Sequence, residues 1–295
     1  MFSHSPRHLG AFLVLLATTG FAGKTILTKL VYRYGVDPLT LLTLRMLMAG
    51  VFFTFILILN VARGRWNLRL DLKSWFLIIL LGVGGYYLSS YLDFLGLYYI
   101  DANLGRMILF LYPTMVVVID SLLTKIPISS STKISLLFCY FGLFLMMSPN
   151  LGTPKGDFLL GAGYIFFSAL IYAFYLVGVD RLFKNLAINF FVSLNFLAAS
   201  LFILSHFALT RPLGALNLPS EAYWLIFLMA SFSTVIPIYA LSTGLALIGA
   251  PKAATLSMVG PAVTLVLGVY VLDESVILIQ VLGAVLMIIG VARIK

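Results

Sequence analysis

Apolar runs of about twenty residues, nearly free of charge and recurring along the whole chain, constrain this sequence more than any other feature. A helix of that length matches the hydrocarbon thickness of a bilayer, and in lipid only helices or closed barrels satisfy every backbone polar group. Apolar residues make up 62% of the 295 and charged residues 10%, so there is too little polar surface to wrap a soluble core. The spans read as Leu9–Val31, Pro38–Asn60, Ser74–Tyr98, Ala102–Leu123, Thr132–Ser148, Phe158–Val179, Asn189–Leu209, Ala222–Leu247, Ala250–Leu272 and Val276–Ala292. The first is kept as a span because it is longer than a signal-peptide core and leads directly into another span. The expected fold class is all-α and polytopic, with ten transmembrane helices.

The two halves echo each other. Gly96, Ile100, Ala102, Pro113 and Gly142 fall opposite Gly244, Ile248, Ala250, Pro261 and Gly290, and Leu44-Arg45 fall opposite Leu194-Asn195. Residues 1–149 and 150–295 are therefore expected to be two five-helix repeats of one integrated unit. An odd number of crossings inserts the second copy upside down, which produces an inverted pair around a central cavity. With the N-terminus inside, the inner connections hold Arg7, Arg63, Arg65, Lys125, Lys133 and Arg181 among others, against Arg33, Lys155 and Arg211 outside. That bias puts both chain ends in the cytoplasm and the protein in the cytoplasmic (inner) membrane. It also accounts for the net charge of +9 without a nucleic-acid partner.

Four charges sit where they cost energy. Lys24, Arg45, Asp93 and Arg106 lie inside apolar spans, and each costs roughly 2.5 to 3.5 kcal/mol near the bilayer centre unless it faces a cavity or a partner. Counted from the span ends, all four fall in one layer of the outer half, and all belong to the first repeat. Three cations against one carboxylate suit a substrate carboxylate or phosphate, which arginine holds through two parallel hydrogen bonds. The competing reading is a structural ion-pair network joining Asp93 to Arg45 or Lys24. Uptake of a proton by Asp93 is a further candidate role, with protons as the coupling ion.

Pro113 and Pro261 interrupt corresponding spans near the midplane, and each frees a carbonyl that a cavity or neighbour must satisfy. Paired interruptions of this kind point to a transporter's central site. Pro237 is a third break, with no evident partner in the first half. Tyr86, Tyr87, Tyr91, Tyr172 and Tyr175 offer ring faces and hydroxyls that line a cavity or pack at interfaces. Tyr175, opposite Lys24 in the repeat alignment, and Asn195, opposite Arg45, join Tyr86 as substrate-binding candidates. A single Cys139 and three histidines provide no metal cluster, no HExxH motif occurs, and neither metal nor cofactor is expected.

The motifs GLALIGAPKAATLSMVGP, LDES and QVLGAVLMIIG of the second half resemble the drug/metabolite transporter superfamily, in particular its EamA-type ten-helix exporters. Similar stretches in the first half are Gly20 to Lys24, Pro38 with Arg45, and Gly96 to Pro113. Thr19 replaces the tryptophan often found in that family, and Lys125-Ile126 stands where the second half has Glu274. The resemblance implies a secondary transporter of a small-molecule substrate across the lipid bilayer, exporting or exchanging an amino acid or related carboxylate. Nucleotide-sugars and drugs are the other solutes of the superfamily. A receptor or scaffold is the reading from a different class, and an enzyme is not expected.

Overall fold

The computed structural model describes residues 6–66, 70–100, 102–148, 157–182, 188–272 and 276–293, and every regular element among them is helical. Spans 1 and 2 are Pro6–Tyr32 and Pro38–Ala62. Span 3 comprises Leu72–Gly82, a π-helical stretch Val83–Leu88 and Ser89–Tyr99. Span 4 is broken into Ala102–Leu109 and Tyr112–Thr124, and span 5 is Ser130–Met147. Spans 6 and 7 are Phe158–Leu182 and Ile188–Thr210. Span 8 comprises Ser220–Ala230, a second π-helical stretch Ser231–Val235 and Ile236–Ile248. Span 9 is Ala250–Leu256, a 3-10 turn Ser257–Val259 and Gly260–Leu272, and span 10 is Leu278–Ala292.

Among the described residues, nine of these are long and apolar enough to cross a membrane, and span 10 is a shorter apolar helix. Local chemistry sets the entries. Asp37 caps span 2, accepting hydrogen bonds from the backbone amides of Leu39 at 3.1 Å and Thr40 at 3.3 Å and from the Thr40 hydroxyl. Pro38 follows in the first turn, where its missing N–H is no loss.

The packing between spans is antiparallel and follows the repeat. Along spans 5 and 10, the Ser131 hydroxyl donates to the Arg293 carbonyl, Cys139 lies against Met287, and Gln280 reaches the Met146 carbonyl. A Cβ added at Gly142 would lie 2.5 Å from the Gly283 carbonyl oxygen, and one at Gly290 would lie 2.9 Å from that of Ser135. In the repeat alignment Gly142 corresponds to Gly290 and Ser135 to Gly283, so each contact is the image of the other. Spans 1 and 8 behave likewise toward spans 6 and 3. A Cβ added at Gly244 would lie 2.8 Å from the Gly10 carbonyl oxygen, and one at Gly96 would lie 2.8 Å from that of Gly161. A twofold relation that exchanges antiparallel helices has its axis in the membrane plane, which is the geometry of inverted repeats.

The structure supplies the partner that Pro237 lacks in sequence. The π-helical stretch Val83–Leu88 of span 3 aligns with Ser231–Val235 of span 8, so both spans are interrupted at equivalent places, one before a proline and the other before Ser89. Helix interruptions of this type recur at functional sites.

The apolar cores are unevenly distributed between the two faces. One cluster gathers Val14, Ile78, Val116, Leu176, Val179, Phe190, Leu245 and Ala253 from spans 1, 3, 4, 6, 7, 8 and 9, all toward the face that carries the chain ends. Toward the opposite face a smaller cluster of Val31, Val36, Leu41, Leu44, Ala222, Ile226 and Met229 joins spans 1, 2 and 8, and a further one with Met46, Phe53, Phe196 and Ile203 joins spans 2, 7 and 8. The apolar cluster toward the face of the chain ends thus joins seven spans.

Close packing of spans 5 and 10 makes a testable demand. Gly283→Ala places a methyl group against backbone and is expected to cost about 1 to 3 kcal/mol, the usual penalty of overpacking. Gly163→Ala, where an added Cβ meets nothing within 4 Å, is expected to leave stability unchanged or slightly raised. Thermal unfolding in detergent compares the two.

Candidate functional site

The structure brings the four intramembrane charges together. Lys24 on span 1 lies within electrostatic reach of Arg45 on span 2, Asp93 on span 3 and Arg106 on span 4. Asp93 in turn feels both Lys24 and Arg106. Lys24, Asp93 and Arg106 are half-buried, whereas Arg45 is only 8% exposed. Charged groups at membrane depth are expected to face a cavity or one another rather than acyl chains.

The ion-pair alternative is not what the geometry shows. Among the described residues, neither Lys24 nor Arg45 is within ion-pair distance of Asp93. The Arg45 Nε finds no acceptor there, although a buried guanidinium N–H without a partner is costly. Tyr32, which the sequence reading missed, ends span 1 above this layer, 38% exposed and within electrostatic reach of Arg45, Asp93 and Asp37. Its only sequence signal is its position two turns beyond Lys24.

Deeper, toward the face of the chain ends, the space is filled by aromatic rings. The Tyr175 hydroxyl donates to that of Tyr86 at 2.8 Å, and their rings meet edge-on at 5.0 Å. Tyr172 stacks on Tyr175 at 5.9 Å and meets Tyr112 edge-on at 5.2 Å, while Tyr86 reaches Phe196 at 5.5 Å. Phe196 stacks on Phe53 at 4.3 Å, Phe53 touches Tyr239, and the Tyr239 hydroxyl meets the Ser193 hydroxyl at 2.6 Å. Gly85 allows this packing, since a Cβ there would fall 2.3 Å from the Tyr175 ring. The rings of spans 2, 3, 4, 6, 7 and 8 form a continuous wall.

Tyr175 and Asn195 belong to this wall and are separated from the charged layer. Tyr175 is 4% exposed and Asn195 is fully buried, its Nδ2 donating to the Phe191 carbonyl at 2.9 Å while its Oδ1 has no partner. An inverted repeat carries the depth of Lys24 and Arg45 to the other side of the midplane. Residues that correspond in sequence therefore lie at opposite depths. Tyr86 is half-buried at the upper edge of the wall; from Asp93 it is seven residues along span 3, or about 10 Å of helix rise.

The prolines shape the helices around this level. Pro113 begins the second piece of span 4, and the Phe110 carbonyl beside the break accepts from the Tyr140 hydroxyl at 3.1 Å, which also meets the Thr114 hydroxyl at 2.6 Å. Pro261 follows the 3-10 turn of span 9, and the Thr264 hydroxyl donates to the Gly260 carbonyl at 3.1 Å. Pro237 is buried, with Gly20 so close that a Cβ there would sit 2.3 Å from its ring. At the break in span 4 a hydroxyl of span 5 thus serves the carbonyl. Tyr87 and Tyr91 lie apart from the charges, packed around His206 of span 7, whose Nδ1 is 3.4 Å from the Tyr87 hydroxyl. A surface pocket lined by Ser131, Ile134, Ala292 and Arg293 lies at the ends of spans 5 and 10, far along the helices from Lys24 and Asp93.

A polytopic helical membrane protein with inverted packing and a cluster of charges at membrane depth has the build of a transporter. The chain belongs to the EamA-like transporter family, whose model matches residues 8–148 and again 159–294. It is 30% identical over 280 residues to the uncharacterized transporter YcbK of Bacillus subtilis (strain 168), covering 93% of this chain and 88% of that protein. Its identity to the uncharacterized transporter YyaM of the same organism is 26% over 291 residues, covering 97% and 93%. A solved crystal structure superimposes with a TM-score of 0.80 at 19% identity, covering 99% of this chain and 98% of the other, which shows the fold. The family is one of transporters rather than enzymes, and the protein is a multi-pass membrane protein of the drug/metabolite transporter superfamily.

Tyr140→Phe removes the hydroxyl that serves the span 4 break. It is expected to cost about 1 to 3 kcal/mol in stability, the range for leaving a buried polar group unpaired. Thermal unfolding of the variant beside Tyr270→Phe, an exposed tyrosine outside the break, checks this.

Proposed function

We propose that the protein is a secondary transporter that exports or exchanges a small carboxylate-bearing metabolite, an amino acid or close relative, across the cytoplasmic membrane. The observation that carries this reading is the layer of Lys24, Arg45, Asp93 and Arg106, three cations to one carboxylate, with the Arg45 Nε lacking an acceptor. A substrate carboxylate supplies the missing acceptor, and Asp93 faces an ammonium or takes up a proton as the coupling ion. The second repeat contributes no comparable charge at the corresponding positions.

The excess of Lys and Arg in the connections beside the chain ends puts that face in the cytoplasm. The charged layer then opens to the outside, and the tyrosine wall with its apolar surroundings closes the cytoplasmic side. This is one of the two end states of alternating access, and exchange of conformation between the repeats generates the other. Pro113, Pro261 and the two π-helical stretches lie where spans 3, 4, 8 and 9 must bend.

The test is counterflow of labelled amino acids and related carboxylates in proteoliposomes of purified protein, with transport unaltered in chemistry. Arg45→Ala is expected to reduce uptake at least tenfold with normal expression and monodispersity, and Arg45→Lys to restore only part of it, because the two-pronged donor geometry is lost. Undiminished transport by Arg45→Ala removes this residue from the site.

A further inference from the structure

Two ion pairs among the described residues bridge the two halves of the chain, and they are not equivalent. Asp37 and Arg211, 3.5 Å apart, join spans 2 and 7 on the face away from the chain ends. Those spans share one continuous core, with Met46, Phe53, Phe196 and Ile203 fully buried in it, so this pair lies on a contact that need not open. Asp120 and Arg181, 3.6 Å apart, join spans 4 and 6 on the face of the chain ends, just beyond Val116, Leu176 and Val179. That crossing closes the bundle below the tyrosine wall.

The twofold relation between the repeats makes a comparison possible. Glycine contacts pair span 6 with span 1 so that Gly161 matches Gly10, and span 4 with span 9 so that Pro113 matches Pro261. Carried along these alignments, Arg181 falls on Leu30 and Asp120 on Gly268. The crossing of spans 1 and 9, which occupies the equivalent place on the opposite face, has no charge at either position. A bundle built from two matching halves has two end states of similar packing, and an ion pair present at only one of two equivalent crossings favours the state in which that crossing is shut.

We propose that Asp120 and Arg181 form a one-sided latch across spans 4 and 6 that holds the face of the chain ends closed and biases the empty protein toward the conformation seen here. The inference rests on the alternating-access reading above. Both side chains keep partial contact with water, 25% and 39% exposed, so the pair is of the strength that salt screens and that shifts an equilibrium by a small factor. A latch of that size sets which state predominates without blocking the exchange.

Accessibility of introduced cysteines in the substrate-free, full-length protein tests this in a Cys139→Ala background. Ala254→Cys on span 9 lies in the closed core, and Thr28→Cys lies one turn beyond Lys24 on the open side. Asp120→Asn and Arg181→Gln are each expected to raise maleimide labelling at Ala254→Cys about two- to fivefold and to lower it at Thr28→Cys, with D120R/R181D returning both toward the starting values. High salt is expected to reproduce the shift in the unaltered protein and to add little in the single variants. The latch is overturned when labelling at the two probes ignores the single variants, when the swapped pair behaves like the singles, or when both probes become more reactive together, which marks a loosened fold. Probes that never change in opposite directions, even with substrate added, overturn alternating access as well; probes that do so with substrate but ignore Asp120 and Arg181 overturn the latch alone.

Discussion

The requirement that governs this structure is that a backbone crossing lipid must satisfy its own hydrogen bonds. It makes every span a helix, and it makes each departure from helix a place where something else must serve the freed groups. Span 4 breaks at Pro113, and the Tyr140 hydroxyl takes up the Phe110 carbonyl. In span 8 the Thr234 hydroxyl reaches five residues back to the Met229 carbonyl within its π-helical stretch. The break in span 4 is thus served by a side chain of span 5, so that bend is held by packing rather than by solvent. Interruptions thereby become defined hinge positions, and the twofold relation sets them at matching levels in the two halves.

Charge obeys the same rule with a different outcome. Lys24, Arg45, Asp93 and Arg106 cannot be repaired by lipid, and they are gathered from four spans within electrostatic reach of one another. Because all four come from the first repeat, the inverted symmetry leaves the opposite depth uncharged, where Tyr175 and Asn195 occupy the equivalent places in an aromatic wall. The protein thus presents ions toward one face and ring stacking toward the other. A symmetric frame carries an asymmetric site, and the Asp120–Arg181 pair extends that asymmetry to the rim.

Much of this was legible in the chain. Span length and hydropathy marked the helices, and Gly96, Pro113 and Gly142 against Gly244, Pro261 and Gly290 revealed the repeat. Counting residues from the span ends placed the four charges at one depth, and the structure brings them within electrostatic reach. What the count could not supply was direction across the bundle. Tyr175 aligned with Lys24 looked like a neighbour in function, yet inversion puts it on the other side of the midplane. Pro237 looked unpaired because its counterpart is a π-helical stretch at Val83–Leu88, a conformation that leaves no diagnostic residue in the sequence.

Sequence alone determined that the chain enters lipid, how many times it crosses, that it is built twice, and which side chains are too costly to face acyl chains. Each of these depends on local quantities: hydrophobicity, spacing and charge along a single helix. Tertiary structure alone decided that Asp93 stays out of ion-pair contact with Arg45 and Lys24, that the tyrosines close one face, and that Asp120 meets Arg181. Those outcomes depend on how helices far apart in sequence rotate and tilt against one another, and close approach at glycines such as Gly142 and Gly283 sets that arrangement through shape, which no single span encodes.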